Sequence, residues 1–191
     1  ELSVVRRGGS LLGLFSQSHI PYAIDRLNDR AYKDVPNLVD MFRAALNQLD
    51  GEKDGFVLQV EGGRVDHAGH GNDAGGMLHE FLEFDACIPI ALEFIESHPD
   101  TMLVVTTDHG TGGCQLDGAG SAYLDSGPAL DRINQLRHSF EWLQQGFEAT
   151  GRFDPVLLET ALGIDPTDTQ AAIVQAALDA EVEYLSGALN Q

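Results

Sequence analysis

Apolar positions between residues 36 and 51 fall at Leu38, Met41, Phe42, Ala45 and Leu49, the spacing of a helix with one buried face. Pro36 suits the first turn of that helix, and Gly51 falls just past its end. The run at residues 56–60 (FVLQV) is short and apolar, and predicts a buried strand. Helical spacing returns at Met77, Leu78, Phe81, Leu82, Asp85, Ile88, Leu92 and Ile95. Pro89 interrupts this pattern and predicts a kink, because proline removes one backbone donor and crowds the preceding turn. A second apolar run at residues 102–106 (MLVVT) predicts another strand, and a weaker strand signal lies at residues 11–15. Strand, helix and strand in this order predict a right-handed crossover joining parallel strands. The expected fold class is α/β, a mostly parallel sheet flanked by helices.

Beyond residue 113 the character changes. Glycine-rich sequence through Gly120 gives way to three helical patterns. The first carries Leu130, Ile133, Leu136, Phe140 and Leu143, with Pro128 near its start and Gly146 after its end. The second runs from Asp154 and Pro155 to Gly163. The third opens on Thr167-Asp168-Thr169-Gln170, a capping-box pattern, and is expected to reach residue 185. The tail is acidic and carries no chemical motif. Residues 1–113 are therefore read as an α/β core, and residues 114–191 as a helical insertion or lid of the same domain.

The 191 residues suffice for one domain with a sizeable core. A formal net charge of −19 argues against a nucleic-acid partner, whose phosphates would be repelled. The same charge makes an anionic substrate paradoxical unless bound cations reverse the local field. No apolar run approaches the roughly 20 residues that span a bilayer. Cys87 and Cys114 make neither a disulfide framework nor a paired-cysteine zinc spacing, and Cys87 is expected to be a buried thiol. The chain begins at Glu1 without a methionine or a signal-like segment. It reads as part of a longer protein, so a missing export signal says little about compartment.

The chemistry gathers where the two predicted strands end. Residues 61–70 read EGGRVDHAGH after the first, and residues 107–110 read TDHG at the end of the second. Ligands of open α/β sheets collect outside the carboxyl ends of strands. Mixed carboxylate and imidazole donors suit zinc, and an all-oxygen part suits a harder ion. Asp66 and His70 are four apart and share a face on a helical turn. Asp108 and His109 are adjacent and would point to opposite faces of a regular strand; they share an ion only if the chain turns, as Gly110, Gly112 and Gly113 suggest. The expectation is a metal site in which parallel strand tips bring five donors into one pocket.

The segment Val60-Glu61-Gly62-Gly63-Arg64-Val65-Asp66-His67-Ala68-Gly69-His70, then Asn72-Asp73-Ala74, then Val105-Thr106-Thr107-Asp108-His109-Gly110-Thr111-Gly112-Gly113, resembles the alkaline phosphatase family. A weaker likeness upstream, at Leu11-Leu12-Gly13-Leu14-Phe15 and Ile20-Pro21-Tyr22, extends it to residues 10–113. The resemblance implies a site of two zinc ions and one magnesium ion. By position, Glu61 matches the magnesium ligand, Asp66 and His70 match ligands of the first zinc, and Asp108 and His109 match ligands of the second. His67 matches a position assisting phosphate or the magnesium water shell. The implied activity is phosphomonoester hydrolysis through a covalent phosphoserine, one zinc activating the serine and the other stabilising the leaving oxygen. A small-molecule phosphomonoester as substrate and a periplasmic or extracellular location are implied in the same way, and a homodimer is compatible with it.

The departures are specific. The family's serine nucleophile, bridging aspartate, magnesium threonine and phosphate-clamping arginine lie upstream of the matched region, and Ser10, Ser16 and Ser18 lack an Asp-Ser context. The family's last zinc histidine lies downstream, whereas His138 falls in a predicted amphipathic helix and is not assigned. The chain is expected to be an internal piece of an enzyme, with little catalysis alone. A phosphodiesterase, sulfatase or phosphopentomutase on the same metal core is one rival. A non-catalytic metal-binding module is another. Among the remaining residues, Asp73 is expected to cap the helix starting near Ala74, His19 and His98 to face solvent, His79 to pack or cap locally, and Asp85 to bond backbone from a buried position.

Overall fold

The computed structural model describes residues 3–7, 9–114, 127–180 and 189. Chain order is β1 (Ser3–Arg7), β2 (Ser10–Leu14), α1 (Ala23–Asn28), a 3-10 turn (Arg30–Tyr32), α2 (Leu38–Leu49), α3 (Arg64–His70), α4 (Ala74–Asp85), α5 (Cys87–Ser97), α6 (Gly127–Gln135), α7 (Phe140–Thr150), α8 (Pro155–Leu162) and α9 (Asp168–Asp179). Two compact units divide these residues. One comprises residues 1–64 and 79–109, the other residues 65–78 and 110–191.

In the first unit, β1 and β2 pair antiparallel with Val5 opposite Leu12. Helix α2 forms where its periodicity places it, and Pro36 precedes rather than enters it. Asn37 is the cap, its side chain accepting from the Asp40 N–H at 2.7 Å. The core joins Phe42 and Leu46 of α2 to Cys87, Ile90 and Ala91 of α5. Cys87 is buried as expected, and burial, then the charge of Glu83, pushes its thiol pKa up. Phe56, Leu58 and Val60 rest on this cluster while Val57 is 98% exposed, the two-residue alternation of an extended chain with one covered face.

The expected parallel sheet is not formed. Among the described residues the only ladder is β1–β2, and residues 56–60 and 102–106 belong to no ladder. Met102 and Val104 are 83% and 66% exposed. The physical reason is that apolar residues make a chain suitable for a strand, but only hydrogen-bonded neighbours make it one. The described architecture is mainly helical, with one antiparallel hairpin.

Pro89 does more than kink its helix. Helix α4 ends at Asp85 and α5 begins at Cys87, because Pro89 cannot donate to the Asp85 carbonyl and its ring crowds that oxygen. The predicted buried stripe is also rotated. Phe81, Leu82 and Asp85 are exposed, whereas Glu80 is buried. Glu80 accepts the Ala23 N–H at 2.6 Å, capping from a distance a helix whose own cap residue, Tyr22, supplies no acceptor. One turn on, Glu83 accepts the Leu38 N–H of α2 at 2.8 Å and pairs with the Arg26 guanidinium. The Arg64 guanidinium lies 3.7 Å above the Tyr22 ring. His98, expected in solvent, is half-buried, stacked on Phe94 with its Nε2 3.1 Å from Asp50.

In the second unit, Leu143, Phe147, Leu158, Ala161 and Val174 form the core of α7, α8 and α9. Leu143 and Phe147 are fully buried, each contributing about 1.5–3 kcal/mol by removal from water. The single helix expected across residues 130–143 is two. Ser139 caps α7 by accepting from the Trp142 N–H, and the Arg137 N–H bonds the Ala161 carbonyl, which holds the intervening loop. His138 therefore lies in a loop, buried and stacked on Trp142 at 3.9 Å. Gly146 sits inside α7 rather than after it. A β-carbon there would fall 2.8 Å from Leu157 Cδ1, so the bare backbone is what lets α8 pack this closely. The Asp154 cap of α8 and the capping box of α9 form as expected. Residues 115–120 and the predicted extension of α9 to residue 185 lie outside the described residues. No described helix is long and apolar enough to cross a membrane.

Burial raises the Glu80 pKa above its ordinary 4.5, against the Ala23 N–H, Arg26 and Arg64, which lower it, and with Glu83, which adds to the rise. A raised carboxyl pKa means that the folded chain holds a proton which the unfolded chain has released. That contribution is fully present below the unfolded pKa and is lost as pH climbs through the folded value. Glu80→Gln should therefore flatten the fall in stability above pH 4.5, as read from thermal melts between pH 4.5 and 8.

Candidate metal centre

Helix α3 has seven residues, too few to be stable alone, so its ends decide whether it forms. Its C-terminus closes in a Schellman motif. The Asp73 N–H bonds the Ala68 carbonyl, the Asn72 N–H bonds the Gly69 carbonyl, and Asn72 takes a left-handed φ of 49°. Asp73 then starts the next element. Its Oδ1 accepts the Gly76 N–H of α4 at 2.8 Å, as expected, and its Oδ2 accepts the Phe140 N–H of α7 at 2.7 Å. One buried carboxylate thus serves two helix N-termini.

Within this unit Asp66 and His70 face the same way, as their spacing predicts, with His70 Nε2 3.6 Å from Asp66 Oδ2. The Thr111 hydroxyl donates to Asp66 Oδ1 at 2.6 Å. His67, between them in sequence, is half-buried. Residues 111 and 112 lie directly against α3. A β-carbon on Gly112 would be 2.2 Å from the Gly69 carbonyl oxygen, and one on Gly69 would be 3.0 Å from the Thr111 carbonyl oxygen.

Glu61, Asp108 and His109 belong to the first unit. Glu61 is exposed, its side chain folded over Gly63. The chain bends at Asp108, two residues before Gly110, the first glycine expected to turn it. The bend brings His109 Nε2 within 3.4 Å of Asp108 Oδ2, and the His109 N–H donates to Asp108 Oδ1 at 2.9 Å. The opposite-facing geometry of a regular strand is thereby avoided.

Zinc bonds of about 2.0–2.1 Å in tetrahedral geometry set neighbouring donors about 3.3 Å apart. Both Asp/His pairs, at 3.6 and 3.4 Å, have the spacing of two donors on one ion. Two donors would fill half of a tetrahedral shell. Among the described residues, no three histidine, cysteine, aspartate or glutamate side chains converge to hold an ion.

The model of the family described as alkaline phosphatase matches residues 4–174. The chain belongs to the alkaline phosphatase family. Alkaline phosphatase 3 of Bacillus subtilis is 39% identical over 114 residues, covering 60% of this chain and 24% of the relative. The repressible alkaline phosphatase of Saccharomyces cerevisiae is 44% identical over 109 residues, covering 53% of this chain and 19% of the relative. The crystal structure of Thermus thermophilus alkaline phosphatase superposes with a TM-score of 0.84 at 34% identity, over 95% of this chain and 40% of that one. The chain thus spans about a quarter of the length of the Bacillus relative.

One residue of this region, and one contact of another, escaped sequence reasoning. Thr111 sits in the quoted motif, but its partner is 45 positions away, and nothing local marks it. The cap that Asp73 gives α4 is local and legible; its bond to α7, 67 positions on, is not. Asp73→Ala should remove both caps and lower stability by about 2–3 kcal/mol in urea unfolding, and Asp73→Asn, which keeps one acceptor, by about half as much.

Proposed function

We propose that the protein carrying this chain hydrolyses phosphomonoesters as a metal-dependent, alkaline-phosphatase-type enzyme. Asp66 and His70 hold one zinc ion, Asp108 and His109 a second, and Glu61 a magnesium ion. His67 assists the phosphate or the magnesium water shell. What supports this reading is the pair of Asp/His donor sets, at 3.6 and 3.4 Å, in a chain of this family. The donor types suit the ions: imidazole with carboxylate for zinc, carboxylate oxygen alone for magnesium. When bound, the ions supply positive charge that polarises a phosphoryl group and offsets the −19 of the chain.

The chain's own contribution is to aim donors. Helix α3 presents Asp66 and His70 from one face, and the bend at Asp108 turns Asp108 and His109 to a common side. A serine nucleophile supplied from outside these residues completes the site and forms the phosphoserine. Residues 1–191 alone are then inactive, consistent with two-donor sets and the lack of an Asp-Ser context at Ser10, Ser16 and Ser18. The substrate is a small-molecule phosphomonoester and the location periplasmic or extracellular.

The test uses the full-length protein. It should turn over p-nitrophenyl phosphate in clear preference to bis(p-nitrophenyl) phosphate, and the reverse preference would make it a phosphodiesterase. Asp66→Ala and Asp108→Ala should each weaken zinc binding by at least about 100-fold, beyond the 10–100-fold typical of losing an outer-shell partner. Unchanged zinc content in both variants would overturn the ligand assignment.

A further inference from the structure

Two adjacent glycines, Gly75 and Gly76, stand in the first turn of α4, although glycine is a poor helix former. Their small volume is used on two sides. A β-carbon on Gly75 would lie 2.7 Å from Leu136 Cδ1 and 3.2 Å from Leu136 Cβ. One on Gly76 would lie 2.9 Å from Asp73 Oδ2. The bare backbone thus admits a side chain from the loop before α7 and, beside it, the Asp73 carboxylate. That carboxylate is buried, and its two oxygens serve different helices. Oδ1 accepts the Gly76 N–H of α4 at 2.8 Å, and Oδ2 accepts the Phe140 N–H of α7 at 2.7 Å.

Both sides of this contact are anchored. Asp73 follows His70 by three residues, and its own N–H closes the end of α3 on the Ala68 carbonyl while its carbonyl takes the Met77 N–H of α4. Across the contact, the Arg137 and His138 N–H groups bond the Ala161 carbonyl of α8, and His138 stacks on Trp142 of α7. Helices α7 and α8 share the core of Leu143, Phe147, Leu158 and Ala161. We propose that Asp73 is a positioning residue for the donor pair Asp66 and His70. It ties the corner after His70 to the N-terminus of α7, so that the packed body of α7 and α8 sets the direction in which the last turn of α3 presents His70. The inference rests on the metal reading proposed above.

Phe140 is the first residue of α7, a position that tolerates proline, and Ser139 before it already has the extended backbone that a following proline requires. Phe140→Pro therefore removes the N–H given to Asp73 while leaving α7 able to form. Phe140→Ala loses the same ring, keeps the N–H and serves as its reference. The experiment measures zinc affinity of the full-length protein by chelator competition, at a temperature where the metal-free variants are folded. Amide hydrogen exchange across α7 is followed beside it, with and without zinc. Phe140→Pro should bind zinc about 2–30-fold more weakly than Phe140→Ala. Because coupling is reciprocal, zinc should slow exchange across α7 in the parent and in Phe140→Ala, and should not in Phe140→Pro. Asp73→Asn, which can accept from only one of the two N–H groups, carries the test if the proline variant does not fold, and should weaken zinc binding over the same range. Equal zinc affinity in the two Phe140 variants, with weakened binding in Asp66→Ala, would make the bond a purely structural one and overturn the proposal while leaving the function standing. Unchanged binding in Asp66→Ala would remove the ligand assignment and this inference with it.

Discussion

Residues 110–113 reach Asp66 because two glycines let backbone lie on backbone at Gly69 and Gly112. The order of the second unit near α3 follows from that approach. A seven-residue helix gains too little from its own hydrogen bonds to offset the ordering of its first turn, so it is held from outside. The Thr111 hydroxyl holds its first half through Asp66, and the Schellman closure at Asn72 holds its last turn. Asp73, the next residue, joins two further helix starts. Asn-Asp-Ala at residues 72–74 thus has a physical reading: Asn tolerates the left-handed turn, Asp offers two acceptors, and Ala begins a helix. Without that close approach the Thr111 hydroxyl would not reach the Asp66 carboxylate.

The first unit solves the same problem, orphan N–H groups at helix starts, with carboxylates from a remote helix. Glu80 and Glu83 close the first turns of α1 and α2. They also draw on the scarce cations of a chain with 11 basic and 30 acidic side chains. Arg26 is committed to Glu83 and Arg64 to the face of Tyr22. A buried carboxylate is costly unless it accepts strong hydrogen bonds, and an uncapped helix N-terminus is among the better donors available. This trade explains why Glu80 is inside while Phe81 and Leu82, its neighbours in sequence, are outside.

That inversion marks the limit of what the sequence could disclose. Features settled within four or five residues were legible: the Thr167 capping box, the Asp154 cap, the shared face of Asp66 and His70, and a chain turn near Asp108. Features settled by a distant partner were not. A glutamate three residues before another looks like a solvated face whether or not a helix N-terminus waits for it. The break ahead of Pro89 was half legible, since proline announces a disturbance without fixing its size. Gly146 was read as a stop because a glycine past an apolar stripe commonly is one, whereas its small volume is used here for close packing with Leu157. The family was legible because its motifs are contiguous. The convergence of their side chains was not, because it is a property of the assembled fold.

The two apolar runs show most directly why a strand is a weaker inference than a helix. A helix satisfies its backbone from within, so periodicity and caps can settle it locally. A strand leaves every N–H and C=O to a neighbour. Residues 56–60 rest one face on α2 and α5, while Val57 on the other is bare, but packing of side chains does not pair a backbone. Among the described residues, those at 102–106 have no ladder partner, although they lead straight into Asp108. The covered share of the Thermus structure is 40% of its chain, so a likeness at TM-score 0.84 coexists with apolar runs that have no ladder partner among the described residues. Superposition measures where the backbone runs. Pairing decides what it becomes, and for residues 102–106 pairing would also fix the direction from which Asp108 and His109 are presented.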